Sequence, residues 1–219
     1  MTARIPPVTA PYPDDVGPLL RRMMPAGEEP IALFRTYARN AHLTRALHGW
    51  GSYQLSRRLS LGLRDREIVI DRTCARCGCE YEWSVHIARF AARARLTDAQ
   101  IGSLTHGSGS DACWTAERDR LLIDATDALH THHDLDDALW ERLAAEFSPD
   151  QLLDLLMLCG WYHAISFTAR ATRLPLEPGT PRFTDFPGPA GGQPGVSRAA
   201  GRSADGGPGV RLRAVAHRQ

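Results

Sequence analysis

Two short segments constrain the fold of this chain more than any others. Thr97-Asp98-Ala99-Gln100 and Ser148-Pro149-Asp150-Gln151 each place a hydroxyl residue three positions before a glutamine, and in the second a proline takes the first helical position. In that pattern the hydroxyl accepts a hydrogen bond from the backbone N–H three residues on, while the glutamine reaches back, so each segment signals a helix start. Apolar residues recur at helical spacing around them. Leu33, Phe34, Tyr37, Ala41, Leu43 and Leu47 follow Pro30, and Trp50, Tyr53, Leu55 and Leu59 continue past Gly49 and Gly51, which predicts two consecutive helices. The run Ile68-Val69-Ile70 could be taken for a strand, but its helical context assigns it to a helix. Further helices are expected from Cys79 to Ala94, from Thr97, over 114–130, over 136–147, and from Ser148 to Arg173. The fold class is therefore all-α, a compact multi-helix bundle.

At 219 residues one domain is expected. Pro6, Pro7, Pro11 and Pro13 make residues 1–13 an extended N-terminal arm, with the helical domain over 14–186. From 187 to 219 glycine, proline, serine and arginine dominate, a composition that cannot repay the entropy of ordering, so a disordered tail is expected. The formal net charge is +1, which gives no electrostatic case for nucleic acid or an anionic membrane and points to a small-molecule substrate. All 26 basic side chains are arginine, which excludes Schiff-base chemistry and a phosphate-binding-loop lysine. No apolar run of signal-peptide length opens the chain and no uninterrupted one reaches a membrane span, so a cytoplasmic location is expected. In a reducing compartment, the cysteines clustered at 74, 77 and 79 suggest redox or metal chemistry before structural disulfides, whereas Cys113 and Cys159 read as small buried apolar residues.

The cluster runs Cys74-Ala-Arg-Cys77-Gly-Cys79-Glu80-Tyr81-Glu82-Trp83-Ser84-Val85-His86. If Gly78 ends one helix and Cys79 opens the next, Glu82 and His86 share a helix face with Cys79, joining a thiol, a carboxylate and an imidazole. Glu67, twelve residues before Cys79, reaches this group only if the chain turns at Gly78. Cys74, Cys77, Cys79 and His86 have the ligand types for zinc but lack a second paired module. His130, His132, His133, Asp134, Asp136 and Asp137 fall between two helices, where they read as caps and solvated loop residues. Neither a metal nor a cofactor is expected. Trp140, Trp161 and Tyr162 read as core.

The run from Leu63 through Arg64-Asp65-Arg66-Glu67-Ile68-Val69-Ile70 and Arg72-Thr73-Cys74 to His86 resembles the core motif of the alkylhydroperoxidase D-like, carboxymuconolactone decarboxylase-like family. The likeness extends more loosely over residues 30–175. It implies a helical bundle that assembles as a homo-oligomer, commonly a trimer or hexamer, with sites near subunit contacts. In the alkylhydroperoxidase D branch the motif is a glutamate, a CxxC pair and a histidine. Glu67 matches the glutamate, Cys79 the first cysteine and His86 the histidine, while Glu82 stands at the second cysteine, the one thought to attack peroxide. Cys77 and Cys74 are candidate resolving thiols. The decarboxylase branch uses acid–base residues without a cysteine pair.

The leading expectation is a cofactor-independent, thiol-dependent peroxidase or reductase of hydroperoxides or a related small electrophile, served by an external thiol reductant. Cys79 is then the redox thiol, His86 the proton shuttle, and Glu67 and Glu82 the orienting carboxylates. The alternatives are acid–base chemistry by Glu82 and His86 on a small carboxylated or lactone substrate, and a non-catalytic oligomeric scaffold.

Overall fold

The computed structural model describes residues 2–189. Among the described residues nine α-helices occur and no strand: α1 (Gly17–Arg22), α2 (Ala32–Tyr37), α3 (Ala41–Gln54), α4 (Leu63–Arg76), α5 (Glu80–Phe90), α6 (Asp98–His106), α7 (Glu117–His132), α8 (Asp137–Glu146) and α9 (Pro149–Thr172). A 3-10 turn follows at Phe183–Asp185. The all-α architecture is as the periodicity requires, and both capping boxes form. Thr97 N donates to Gln100 Oε1 at 3.2 Å, and Ser148 N donates to Gln151 Oε1 at 3.1 Å.

Several boundaries differ from the sequence reading. The two helices after Pro30 separate at Asn40, whose side chain accepts from Leu43 N at 3.0 Å, while Gly49 and Gly51 lie inside α3. The helical domain expected from residue 14 has its first helix at Gly17, and α5 stops at Phe90, one turn short of Ala94. Trp140 is 43 % exposed on α8 and is not a core residue. The expected disordered tail lies outside the described residues from 190 onward. Of its first residues, Pro187 and Gly188 rest against Gly102 and His106 of α6.

The centre of the molecule is α4, buried without interruption from Asp65 to Cys74. An arginine-only complement of cations suits its polar side, because guanidinium groups bind carboxylates through two N–H donors. Arg72 grips Asp127 of α7 with two bonds of 2.6 Å, Arg64 reaches Asp119 at 2.8 Å, and Arg76 donates to Thr131. Each of these pairs is separated by 55 residues, so α4 and α7 run side by side in the same direction. On its other side α4 meets α9. That helix is long and apolar enough by composition to cross a membrane, although its apolar run is interrupted at Asp154 and His163, and half of its apolar window is buried in this core. The chain after α9 returns across α2 and α5. Glu177 Oε1 accepts from Ala32 N and Tyr81 OH, both at 2.6 Å, and Phe183 and Phe186 pack edge-on against Trp83.

Candidate active site

The turn between α4 and α5 builds the site. Gly78 takes a left-handed φ of +62°, Gly78 N donates to Ala75 O, and Cys79 N donates to Cys74 O, both at 2.8 Å. This is a Schellman closure, and glycine fits because a side chain at positive φ is strained. The reversal folds α5 back along α4, bringing Glu67 to His86 across nineteen residues: Glu67 Oε2 lies 2.8 Å from His86 Nδ1. The other oxygen, Glu67 Oε1, accepts from Arg66 Nε at 2.7 Å. On the far edge of the ring, His86 Nε2 faces Tyr162 OH at 3.1 Å and Glu82 Oε1 at 3.5 Å. Glu67, Glu82 and His86 are thus brought together as their spacing allows, all of them buried.

Burial alone would push the His86 imidazole down, but Glu67 and Glu82 outweigh it and raise the group to about 10. His86 is therefore an imidazolium at neutral pH. Asp71, one turn after Glu67, is pushed well above the usual carboxylate range by burial and by Glu67. Its two oxygens have no hydrogen-bond partner among the described residues, as suits a carboxyl kept protonated.

His86, Glu82 and Tyr162 line a cavity of about 380 Å³. Its walls are mainly apolar: Leu33, Phe34 and Tyr37 of α2, Val85 and Phe90 of α5, and Trp161 and Ile165 of α9. Arg22 and Arg89 add guanidinium groups to its lining. Glu82 Oε2 is buried with no hydrogen-bond partner among the described residues. Tyr162 is buried in the core and Trp161 packs against it, as expected, and both also line this cavity, where Tyr162 contacts the histidine.

The thiols are placed differently from the shared face expected of Cys79, Glu82 and His86. Cys79 caps α5 with φ −92° and ψ 76°, so the 100° helical step does not extend back to it. Its side chain is 1 % exposed and is not among the cavity lining. Burial pushes the Cys79 thiol up to about 11, although the Glu82 backbone N–H favours the thiolate. Cys74 is also buried, with its thiol pushed well above the usual range by burial, and burial raises Cys77 as well. All five cysteines are free. Neither ligand set considered from sequence is assembled. His132, His133 and Asp134 are exposed, and Asp136 caps α8 by accepting from Leu139 N at 2.8 Å.

Residues 41–126 match the model of the carboxymuconolactone decarboxylase family. The sequence matches none of the curated proteins with which it was compared. Among solved structures, the fold is similar to an alkylhydroperoxidase AhpD core, an uncharacterised peroxidase-related protein from Ralstonia eutropha JMP134. That likeness has a TM-score of 0.68 at 16 % identity and covers 81 % of this chain and 95 % of that one. A peroxidase-related protein from Silicibacter sp. TM1040 matches with a TM-score of 0.63 at 17 % identity, covering 80 % and 92 %. The debrominase Bmp8, in complex with 2,3,4-tribromopyrrole, matches with a TM-score of 0.61 at 14 % identity, covering 81 % and 94 %. The match over residues 41–126 and the shared helical architecture agree with the motif around Glu67 and His86: this stretch is similar to the carboxymuconolactone decarboxylase family, and the fold is AhpD-like.

Proposed function

We propose that the protein is an enzyme of acid–base chemistry, moving a proton to or from carbon on a small, mainly apolar substrate that carries an anionic group. The observation that carries this reading is the pairing of Glu82 with His86 on the wall of an apolar cavity, with Glu82 Oε2 left unpartnered. A carboxylate beside an imidazolium supplies a base and an acid in one place. Glu82 takes a proton from substrate carbon, and the electron pair moves to an adjacent carbonyl oxygen. His86 Nε2–H stabilises or protonates that oxygen. In a decarboxylation the same electron pair comes from the carbon–carbon bond to the departing carboxylate, and the acid returns a proton to carbon. Glu67, itself held by Arg66, fixes the imidazole at Nδ1. Arg22 and Arg89 suit the anionic end of the substrate.

The family's name includes a decarboxylase, and Bmp8 holds a small ring within the same fold, both in keeping with this cavity. The thiol-dependent reading draws on the peroxidase-related neighbours. It requires a thiolate that peroxide can reach, whereas Cys79 is shielded and protonated. Carbon dioxide release from carboxymuconolactone, and hydroperoxide consumption with dithiothreitol, are to be measured for the parent chain, Glu82→Gln, His86→Gln and Cys79→Ser. Loss of ~100-fold or more in carbon dioxide release in the first two variants, with Cys79→Ser active, is the expected pattern. Hydroperoxide turnover that disappears in Cys79→Ser overturns it in favour of the thiol enzyme.

A further inference from the structure

On the side of α4 that meets α7 and α9, three side chains converge that the acid–base site does not use. Cys77 closes the C-terminus of α4, His130 stands in the last turn of α7, and His163 follows Tyr162 on α9. Cys77 Sγ lies 3.9 Å from His130 Nδ1, which lies 3.0 Å from His163 Nε2, and the three ligand atoms are within 4.8 Å of one another. We infer that Cys77, His130 and His163 form a binding site for a zinc-class ion that joins α4, α7 and α9.

The distances fit a metal. With Zn–S and Zn–N bonds of roughly 2.3 and 2.05 Å in tetrahedral geometry, ligand atoms sit roughly 3.4 to 3.6 Å apart. The observed 3.9 and 3.0 Å lie within a few tenths of an ångström on either side. Orientation fits as well. His163 Nδ1 donates to the Cys159 carbonyl at 2.8 Å, which fixes the ring with the Nε2 lone pair turned to the site. Histidine ligands are commonly held by such a bond to a backbone carbonyl. One thiolate and two imidazoles favour Zn²⁺ over Mg²⁺ or Ca²⁺, which prefer oxygen ligands. Both histidines are half-buried, which leaves a route for the ion and a fourth position for water.

Neighbouring charges divide. Arg76 stands nearby and Arg170 donates to the Cys77 carbonyl, while Asp127 pairs with Arg76 at 3.5 Å and returns negative charge. Sequence reading could not find this set. Its members are 53 and 33 residues apart along the chain, and the local neighbours of His130 suggested a loop.

Co²⁺ added to the full chain under reducing conditions reports on the site, because a four-coordinate thiolate complex gives both a sulfur-to-metal charge-transfer band and intense visible bands. One equivalent is expected to bind, with Zn²⁺ displacing it and Mg²⁺ failing to. Cys77→Ser and His163→Ala should each weaken Zn²⁺ binding by more than the ~10–100-fold that loss of an outer partner costs, while Cys113→Ser binds as the parent does. In the parent chain, where no variant can misfold, Zn²⁺ should slow alkylation of Cys77 by iodoacetamide and raise Tm. No charge-transfer band, a band that persists in both variants, or no protection of Cys77 overturns the inference and leaves a histidine–histidine hydrogen bond beside a thiol.

Discussion

Glu67 divides its two oxygens between Arg66 and His86 in a place with no exposed surface, so neither cation has water to replace it. Glu67→Gln removes the carboxylate of Arg66 and the Nδ1 partner of His86, which keeps only Glu82 at Nε2, and breaking a buried ion pair from one side costs about 3–5 kcal/mol. Urea unfolding of that variant should show a loss of this order, and an effect below ~1 kcal/mol would contradict the buried pairing. His86 carries a pH consequence. Its ionisation is raised from 6.5 to about 10 in the folded chain, so folding favours the protonated ring. The resulting stability is complete below pH 6.5 and is lost as pH rises through about 10. The advantage of the parent over His86→Gln should therefore narrow across that window in paired unfolding measurements. An advantage that widens instead would show that the ring is held neutral. The Glu82 and His86 pair was legible because both residues lie within α5, and Glu67 because Gly78 could reverse the chain. Tyr162 was not, since 76 residues separate it from the histidine it meets.

At the scale of elements, a hydroxyl–glutamine box marks a helix start locally, whereas a cap supplied from afar leaves no mark beside the helix it starts. Thr97 and Ser148 announce α6 and α9 within four residues. The first N–H groups of α2 are instead satisfied by Glu177, 145 residues away, and by Tyr81. The thiol geometry failed for a related reason: Cys79 is a cap residue, and helical projection holds only inside the helix. Gly78 is the hinge on which the site depends. An added Cβ there meets the Arg170 guanidinium no closer than 3.6 Å, so the strain of Gly78→Ala is one of backbone conformation. A cost of about 1 kcal/mol, or ~2–4 °C in Tm, is expected. Gly179, at φ +74° with nothing near it, is the control. Gly179→Ala should cost a similar amount while leaving activity intact, and Gly78→Ala should lower activity as well as Tm. Equal activity in the two variants would disconnect the α4–α5 turn from catalysis.

Across the whole molecule, α9 does more than fill the core. Leu153, Met157, Gly160, Ala164 and Phe167 are its exposed residues between 151 and 169, spaced by four, three, four and three. This is the repeat that lets one helix lie along another, and the glycine and alanine at its middle allow a close approach. Leu153 is 64 % exposed and Phe167 67 %, so large apolar side chains stand in water along a stripe that the monomer leaves open. The opposite face buries Asp154, Tyr162 and Ser166 within the protein, which argues for a protein partner over lipid on the exposed stripe. The homo-oligomer implied by the family resemblance is proposed to form through this face, with α9 of one copy against α9 of another. Sedimentation of the parent chain should then give a mass above the 24.1 kDa of one copy. Met157→Glu and Phe167→Glu each place a charge within that contact and should shift the mass toward the monomer while leaving far-UV circular dichroism unchanged. An assembly indifferent to both substitutions would mean that copies associate through another surface, and a parent that sediments as a single chain would mean that they do not associate. Because α9 also carries Tyr162 into the cavity, dissociation should weaken substrate turnover without abolishing it.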